Sequence, residues 1–440
     1  MADSNVLIKA IERLDHRVTI GDVAAEAGLP LHEAQQGVLT LASEVQAHLQ
    51  VSEAGEIAYV FPKNIQAILL SKSWQLRWQA TWNKVWRVLF YLIRISFGIA
   101  LILSLVLIVL AIIALVIAAQ AASQQGNNNQ NRRSGGGMIL LPRVWFGPNL
   151  FRMFDYRYYR RSAAKPAAKP AADSEMNFLE AIFSFLFGDG DPNADLEERR
   201  WQAIAAVVKA NGGVVVAEQI APFLSDLGQG WSQEFEDFMI PVLIRFNGEP
   251  QVSPEGGIVY QFPELQVTAQ ERQRISPPQA LQELPRQFSF ASSGQIIGAI
   301  ALGSANLIAA LALGSLLQDP ALVASAGELV IFVNSIYWLL LAYGTAFLGI
   351  PIVRYFGVQW QNGRIARRNQ AREQRAEVLA QLDDPVREKL SFAKTLAGQT
   401  IVTAENLAYS TETDLMDQEI ANKDKIDEEW QRLIERRQSP

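Results

Sequence analysis

Few side chains in this 440-residue chain are equipped for chemistry. There is no cysteine, which excludes disulfides, thiolate metal sites, cysteine nucleophiles and protein-ligated iron-sulfur clusters. The histidines, His16, His32 and His48, fall on separate elements of one small region with no adjoining pair, so they do not read as a metal site. Asp189, Asp191, Asn193 and Asp195 alternate as in the first half of an EF-hand loop. The register then fails, because Ala194 and Arg200 stand where glycine and a bidentate glutamate belong. That stretch reads as a turn and N-cap for a helix starting near Asp195. Phosphate-cradling and dinucleotide glycine patterns, HExxH and the nucleophile elbow are absent. Glu328 is the single ionisable residue inside an apolar run, with Asn334 and Asn306 as candidate neighbours. A carboxylate there serves as an interface cap, a structural hydrogen-bonding group or a proton relay. No catalytic residue, cofactor or metal is assigned, and the chain reads as non-enzymatic.

Three apolar runs would hold these groups. Ile95 to Ala119 carries no charge and, at 1.5 Å per residue, amounts to about 37 Å of helix, a full span. A second run covers about 288–317 and a third about 322–353, joined by the turn Gln318-Asp319-Pro320, so residues 288–353 are expected as a transmembrane hairpin. Gly294, Gly298, Ala299 and Gly303 make the second span a small-residue face, most simply packed on the third. Ahead of the first span, Trp74, Trp78, Trp82 and Trp86 recur every four residues among Lys72, Arg77, Lys84 and Arg87. Tryptophan favours the headgroup level and cations the anionic surface, so residues 71–119 read as an interfacial helix feeding a span. The extreme N-terminus is polar and acidic, and no removable targeting segment is expected. Arg354, Arg364, Arg367 and Arg368 place the outer ends of the hairpin on the cytoplasmic side. Three spans would then put residues 1–94 opposite, where Arg77, Lys84, Arg87 and Arg94 resist, so the side of the N-terminal domain stays open.

An internal repeat organises the remainder. Residues 50–62, QVSEAGEIAYVFP, and 251–263, QVSPEGGIVYQFP, match at eight of thirteen positions with an offset of 201. Each ending has a turn at Gly55 or Gly256 and then an alternating Ile, Tyr, Phe run, the pattern of a hairpin with one apolar face. In the first copy, helices are expected over Asn5–Leu14, from Thr19 as N-cap to Gly28, and over Leu31–Val45. Three helices and a hairpin describe a winged helix, so residues 1–63 and 177–265 are expected as two such domains, the second preceded by an amphipathic helix. Winged helices suggest DNA, but residues 1–62 hold three bases against nine acids, and residues 195–264 four against eleven. Both should repel phosphate, which disfavours a membrane-tethered DNA regulator. Protein docking is the better reading, with Glu53, Glu56 and Glu255 at the wings and the third helices as candidate contacts, and Tyr59, Phe61, Tyr260 and Phe262 in the wing cores.

Residues 120–176 combine a low-complexity linker, a basic-aromatic stretch and an Ala-Lys-Pro spacer. In the middle stretch Arg143, Arg152 and Arg157 interleave with aromatic rings, a pattern suited to anionic lipid. Residues 354–440 are polar and helix-prone, with one helix expected over Arg364–Leu382, and read as a cytoplasmic helical tail.

FSFLFGDGDPN at residues 183–193, the paired QVS..G.I.Y.FP endings, and AYSTETDLMDQE at residues 408–419 resemble a family of membrane proteins of cyanobacteria and chloroplasts, over most of the chain. The resemblance implies a thylakoid home, with the plasma membrane as the alternative, and a setting near photosystem biogenesis. Plant relatives carry an iron-sulfur-biosynthesis label, which a chain without cysteine does not support as direct cluster ligation. The expectation is a mainly α membrane protein with three transmembrane helices, two winged-helix-like α+β domains and a helical C-terminal tail. It would act as a scaffold or assembly factor touching lipid and protein partners, possible photosystem subunits among them, and no nucleic acid. A transport unit using Glu328 is the runner-up.

Overall fold

The computed structural model describes residues 4–72, 74–124, 176–224, 236–270, 277–379, 384–403, 406–418 and 430. In chain order the elements begin with α1 (Ser4–Arg13), β1 (Arg17–Val18), α2 (Ile20–Ala27), α3 (Leu31–Val45), β2 (His48–Ser52), β3 (Ile57–Val60), α4 (Ile65–Lys72) and α5 (Trp74–Gln124). Next come α6 (Phe178–Phe187), α7 (Leu196–Ala210), β4 (Val214–Val215), α8 (Ala217–Ile220), α9 (Ile240–Phe246), β5 (Glu249–Val252), β6 (Ile258–Gln261), α10 (Pro263–Gln266) and β7 (Val267–Thr268). The last are α11 (Ser293–Leu316), α12 (Pro320–Ser325), α13 (Glu328–Ser335), α14 (Tyr337–Val378), α15 (Asp384–Leu396), β8 (Thr400–Ile401) and β9 (Leu407–Ser410). Two compact units result: one from Met1–Ala80, Asn193–Leu284 and Ile365–Pro440, the other from Thr81–Pro192 and Pro285–Arg364.

The first unit holds both repeats, and each has the order helix, strand, helix, helix, hairpin. In each, the short first strand pairs antiparallel with the last, and the last with the middle one: β1-β3-β2 and β4-β6-β5. Local chemistry fixes the first copy. Thr19 accepts from the Asp22 amide and Asp22 answers the Thr19 amide, a capping box, while Gly28 ends α2 with φ of 65°. Gly55 and Gly256, each with φ of 85°, turn the two hairpins. Tyr59, Phe61, Tyr260 and Phe262 are buried, as the alternation requires. The two repeats build one body through α2, which packs on α7 and α10. Gly21 makes that approach possible, since a Cβ there would lie 2.0 Å from the Glu264 carbonyl oxygen.

The C-terminal segment departs from the helical tail expected of it. β9 joins the first repeat as the outer strand of a four-stranded sheet, order β1-β3-β2-β9. β8 pairs parallel with β7, and α15 packs on β4 and β6 of the second repeat. A four-residue strand with its partner more than 350 residues away gives no local signal, which is why composition alone suggested a solvated tail.

In the second unit, Lys84–Ala122, Ser293–Leu316 and Tyr337–Glu377 are the three helical stretches, among the described residues, long and apolar enough to cross a membrane. α5 buries a narrow stripe at Gly98, Leu101, Ser104, Ile108, Ala111 and Leu115, a three-four spacing, and leaves Ile102, Leu103, Val106, Leu110 and Ile113 outside. One core gathers Leu101, Ala181, Phe185, Ala299 and Phe347, and another Ile108, Ala310, Leu313, Val333 and Leu340. Residue numbers rise together on α5 and α11 and fall on α14, so α5 and α11 run parallel and α14 runs back. α6 lies at the first of these two ends, against Gly98 and Gly298.

The third apolar run differs from the expected single span over about 322–353. Gly327, with φ of 93°, separates α12 from α13, and α14 starts only at Tyr337. It then continues through Pro351 and beyond Val353, because the following stretch is rich in Arg, Gln, Ala and Glu, which sustain a helix. The helix expected over Arg364–Leu382 is thus the end of α14. In the same way the tryptophan-striped stretch and the first span are one helix, α5.

Candidate functional site

The polar groups organise into separate constellations, each inside one unit. The first repeat meets the second at Asp22. Its carboxylate receives the Lys209 ammonium, the Thr268 hydroxyl at 3.0 Å and the Ala269 amide at 2.9 Å, besides its own cap contact. Burial pushes this carboxyl upward, but Lys209 and the two amides outweigh that and hold it below the usual range. Arg17 works in parallel: its guanidinium bonds Gln50 Oε1 at 3.0 Å, the Val402 carbonyl at 2.8 Å and the Ala269 carbonyl. On the other flank Arg245 stacks 4.3 Å above the Trp201 ring and donates to the Gly28 carbonyl, the C-cap of α2.

In the second repeat, Lys389 of α15 bridges Glu218 at 3.1 Å and Glu236 at 2.6 Å, and Tyr260 donates to the other oxygen of Glu236 at 2.7 Å. Burial opposes the charge on Lys389, yet the two carboxylates overcome it and raise its pKa, while burial and Glu236 together push the Tyr260 phenol up. One lysine serving two buried carboxylates is a structural clasp for α15. A third cluster sits where residues 281–284 lie along α14. Glu283 is held by Arg368 at 2.5 Å and by Arg372 at 2.8 Å, with Arg372 only 1% exposed, and the bonds from Arg368 keep the Glu283 carboxyl low. Asn369 clamps the backbone of Glu283 through both its N–H and its C=O.

In the second unit, the FSFLFGDGDPN stretch forms α6 and its exit. Asp189 ties Arg94 of α5 at 2.9 Å, the Ser184 hydroxyl of α6 and the Phe290 amide before α11 at 2.8 Å. Arg354 of α14 donates to the Phe185 carbonyl at 2.7 Å, capping α6, and lies 4.1 Å from the Phe288 ring centroid. The acidic turn thus binds protein cations and amides. Among the described residues no group of three or more His, Asp or Glu side chains is placed to hold a metal ion. Deeper along the bundle, Asn306 is fully buried, donates to Ser104 Oγ and leaves its carbonyl oxygen without a partner, facing Gly344.

The residues singled out by sequence do not converge. Glu53 and Glu255 are exposed at the two hairpin turns, in separate repeats. Glu56 is partly buried, and burial together with the nearby Glu264 raises its pKa, so it belongs to the junction between the repeats. Trp78, Trp82 and Trp86 are exposed on α5, which suits an apolar environment; the side chain of Trp74 lies outside the described residues, as do Arg143, Arg152 and Arg157. Glu328 opens α13 and is exposed, at a helix start. The small-residue face is divided between partners: Gly298 admits Phe178 of α6, Gly303 admits Phe347 of α14, and Gly294 has open space. Of the third helices expected as candidate contacts, α9 exposes an apolar pair, Ile240 and Ile244, at 53% and 75%.

The chain is 35% identical over 436 residues to At5g03900 of Arabidopsis thaliana, described as an uncharacterized chloroplastic protein, a match that covers 96% of the chain and 80% of the relative. No family model and no solved structure matches it. At this identity, and over this length, the chain belongs to the family of that chloroplastic protein.

Proposed function

We propose that the protein is an integral scaffold or assembly factor of the thylakoid membrane, holding an acidic protein-docking unit at one face of the bilayer. The element order and strand pairing of the two repeats support reading both as winged-helix-like domains. The observation that carries the docking role is the α9 surface: Ile240 and Ile244, one helical turn apart, stand exposed in a repeat with four bases against eleven acids. An apolar anchor pair with an acidic surround suits a basic, amphipathic protein segment and disfavours nucleic acid phosphate.

Membrane insertion is supported by the apolar side chains left outside around α5, α11 and α14, which in water would be a contiguous adhesive surface. Charge orients it. Lys84, Arg87, Arg94, Arg286, Arg354 and Arg364 cluster at the end where α6 lies, while no lysine or arginine occurs in residues 95–124 or 287–353. This supports placing the N-terminal side of α5 with the outer ends of the hairpin.

Two measurements test the proposal. Single cysteines at Glu53 and at Glu328 of this cysteine-free chain should react with an impermeant reagent from opposite sides of intact membrane vesicles. Reaction of both from one side defeats the orientation. Affinity isolation of the tagged protein from mild-detergent membranes should recover photosystem subunits or assembly intermediates, and Ile240→Ser with Ile244→Ser should remove them. Unchanged recovery would reject α9 as the docking surface.

A further inference from the structure

The two wings end in hairpins of one design, yet their outer edges are treated differently. In an antiparallel pair, alternate residues of a strand turn their N–H and C=O groups away from the inner partner. On β2 those residues are Leu49, Val51 and Glu53, and β9 takes them up. The Thr411 amide donates to the Leu49 carbonyl at 2.9 Å, the Leu49 amide to Thr411 Oγ1 at 2.7 Å, Val51 lies opposite Tyr409, and the Glu53 amide donates to the Asn406 carbonyl at 2.8 Å. At the 201-residue offset, Leu49 and Glu53 correspond to Pro250 and Pro254. The second wing therefore lacks two of the three outward N–H donors that the first wing uses. Proline at those positions is how an edge strand is made unable to accept another strand.

The first wing kept its donors and is covered by the chain's own C-terminal strand. The cover is light: β9 has four residues, Ala408 and Tyr409 are exposed, and only Leu407 reaches an apolar cluster, as a partly buried neighbour of Ala58, Val267 and Val402. Its register slips between Val51 and Ser52. Almost everything that holds it is backbone pairing plus the Thr411 hydroxyl, interactions that an identical strand from another molecule reproduces in full.

We propose that the outer edge of β2 is a strand-accepting site which β9 occupies reversibly, and that β9 of a second copy of this chain takes the place of the resident strand, joining two molecules by exchange. The chain stays anchored up to Val402, whose amide bonds the Thr268 carbonyl at 3.0 Å, so the exchanging piece begins after it.

The absence of native cysteine makes the test direct. Two differently tagged full-length copies, one carrying Val51→Cys and the other Tyr409→Cys, are co-expressed in the same membrane and mildly oxidised. A disulfide-linked heterodimer is the expected product, and its loss on adding Leu407→Pro to the Tyr409→Cys copy ties it to the strand. Monomers alone, beside an efficient intramolecular bridge when both cysteines sit in one chain, would overturn the proposal. Hydrogen exchange on the unmodified protein gives a second reading. The amides of Val51, Glu53 and Tyr409 should exchange at least about tenfold faster than those of Gln50 and Ser52, which face β3. Equal protection of the two ladders would show that β9 opens only when the sheet does, and would also overturn it.

Discussion

Asp22 supplies the sharpest test of how the two repeats became one unit. Its side chain is 5% exposed and neutralises Lys209, whose side chain is 25% exposed, while satisfying the Thr268 hydroxyl, the Ala269 amide and one end of α2. Asp22→Ala strands a partly buried ammonium and removes an acceptor from three buried donors, the Thr268 hydroxyl and the Ala269 and Thr19 amides. Breaking a fully buried pair on one side costs about 3–5 kcal/mol, and the partial exposure of Lys209 moves the expectation toward about 3 kcal/mol. For a folded unit of about 150–250 residues each kcal/mol lowers Tm by roughly 2–4 °C, so a drop of about 6–12 °C is expected in detergent-solubilised protein. Because the Asp22 carboxyl is held low in the folded state, its contribution is fully present above the ordinary unfolded value of about 3.9 and is lost as pH falls through the lower folded value. Asp22→Asn should abolish that acid-side loss. Adding Lys209→Met to Asp22→Asn should restore part of the Tm, since the uncompensated ammonium is then gone. A drop below about 3 °C for Asp22→Ala, or strict additivity in the double variant, would refute the view that this carboxylate joins the repeats.

Other expectations follow from the same geometry. Lys389→Met leaves Glu218 and Glu236 facing each other without a counter-ion and should release α15, read as faster hydrogen exchange over residues 384–396. Lys389 titrates above its ordinary value, so the contribution of the clasp is present below about pH 10.4 and is lost only as pH rises through the raised folded value. Gly303→Leu should disrupt the packing of α11 on α14, since even a Cβ would lie 2.4 Å from the Phe347 ring. A loss of about 1–3 kcal/mol is expected, measured by detergent-induced unfolding of the purified protein.

The parts of this fold that were legible in sequence are those fixed locally. The Thr19 cap, the Gly28 stop, the turns at Gly55 and Gly256 and the alternation that buries Tyr59 and Tyr260 each depend on a few neighbouring residues, and the structure reproduces them. The three apolar helices were legible because each holds a long run almost free of charge. What was not legible depends on partners distant in sequence. Glu283 and the arginines at 368 and 372 are about ninety residues apart, and Asp22 and Lys209 still further. Nothing in the charge pattern of either stretch selects its mate. Asp189 shows the converse: the stretch forms the expected turn, although Asp195 makes no side-chain cap on the helix it precedes, and the ties of Asp189 to Arg94 and to Phe290 need the bundle to exist first. The boundaries of the third apolar run failed for a subtler reason. Hydropathy marks where a helix is apolar, whereas α14 starts and stops according to backbone geometry, after the break at Gly327 and well past the last apolar turn.

The C-terminal segment has attachments of unequal strength, and that inequality predicts an order of opening. α15 buries Val386 and Ala393 almost completely and supplies Lys389 to two buried carboxylates. Burial of the valine side chain alone is worth about 1.5–3 kcal/mol, before the charge clasp is counted. β9 contributes one partly buried leucine and a short ladder whose hydrogen bonds are each worth about 0.5–1.5 kcal/mol net, against the cost of ordering its residues at about 1–2 kcal/mol each. The strand should therefore detach while the helix stays in place, and the helix should leave only with the second repeat. Ending the chain after residue 398 keeps α15 and removes both terminal strands. It should leave protection over Val214, Val215 and residues 258–261 unchanged, while the outward amides of β2 lose theirs. Ending it after residue 379 should deprotect the β4-β6 pair as well. If both truncations deprotect the two repeats to the same extent, the segment is a single cooperative strap, and the ranking by buried apolar surface and buried charge is wrong.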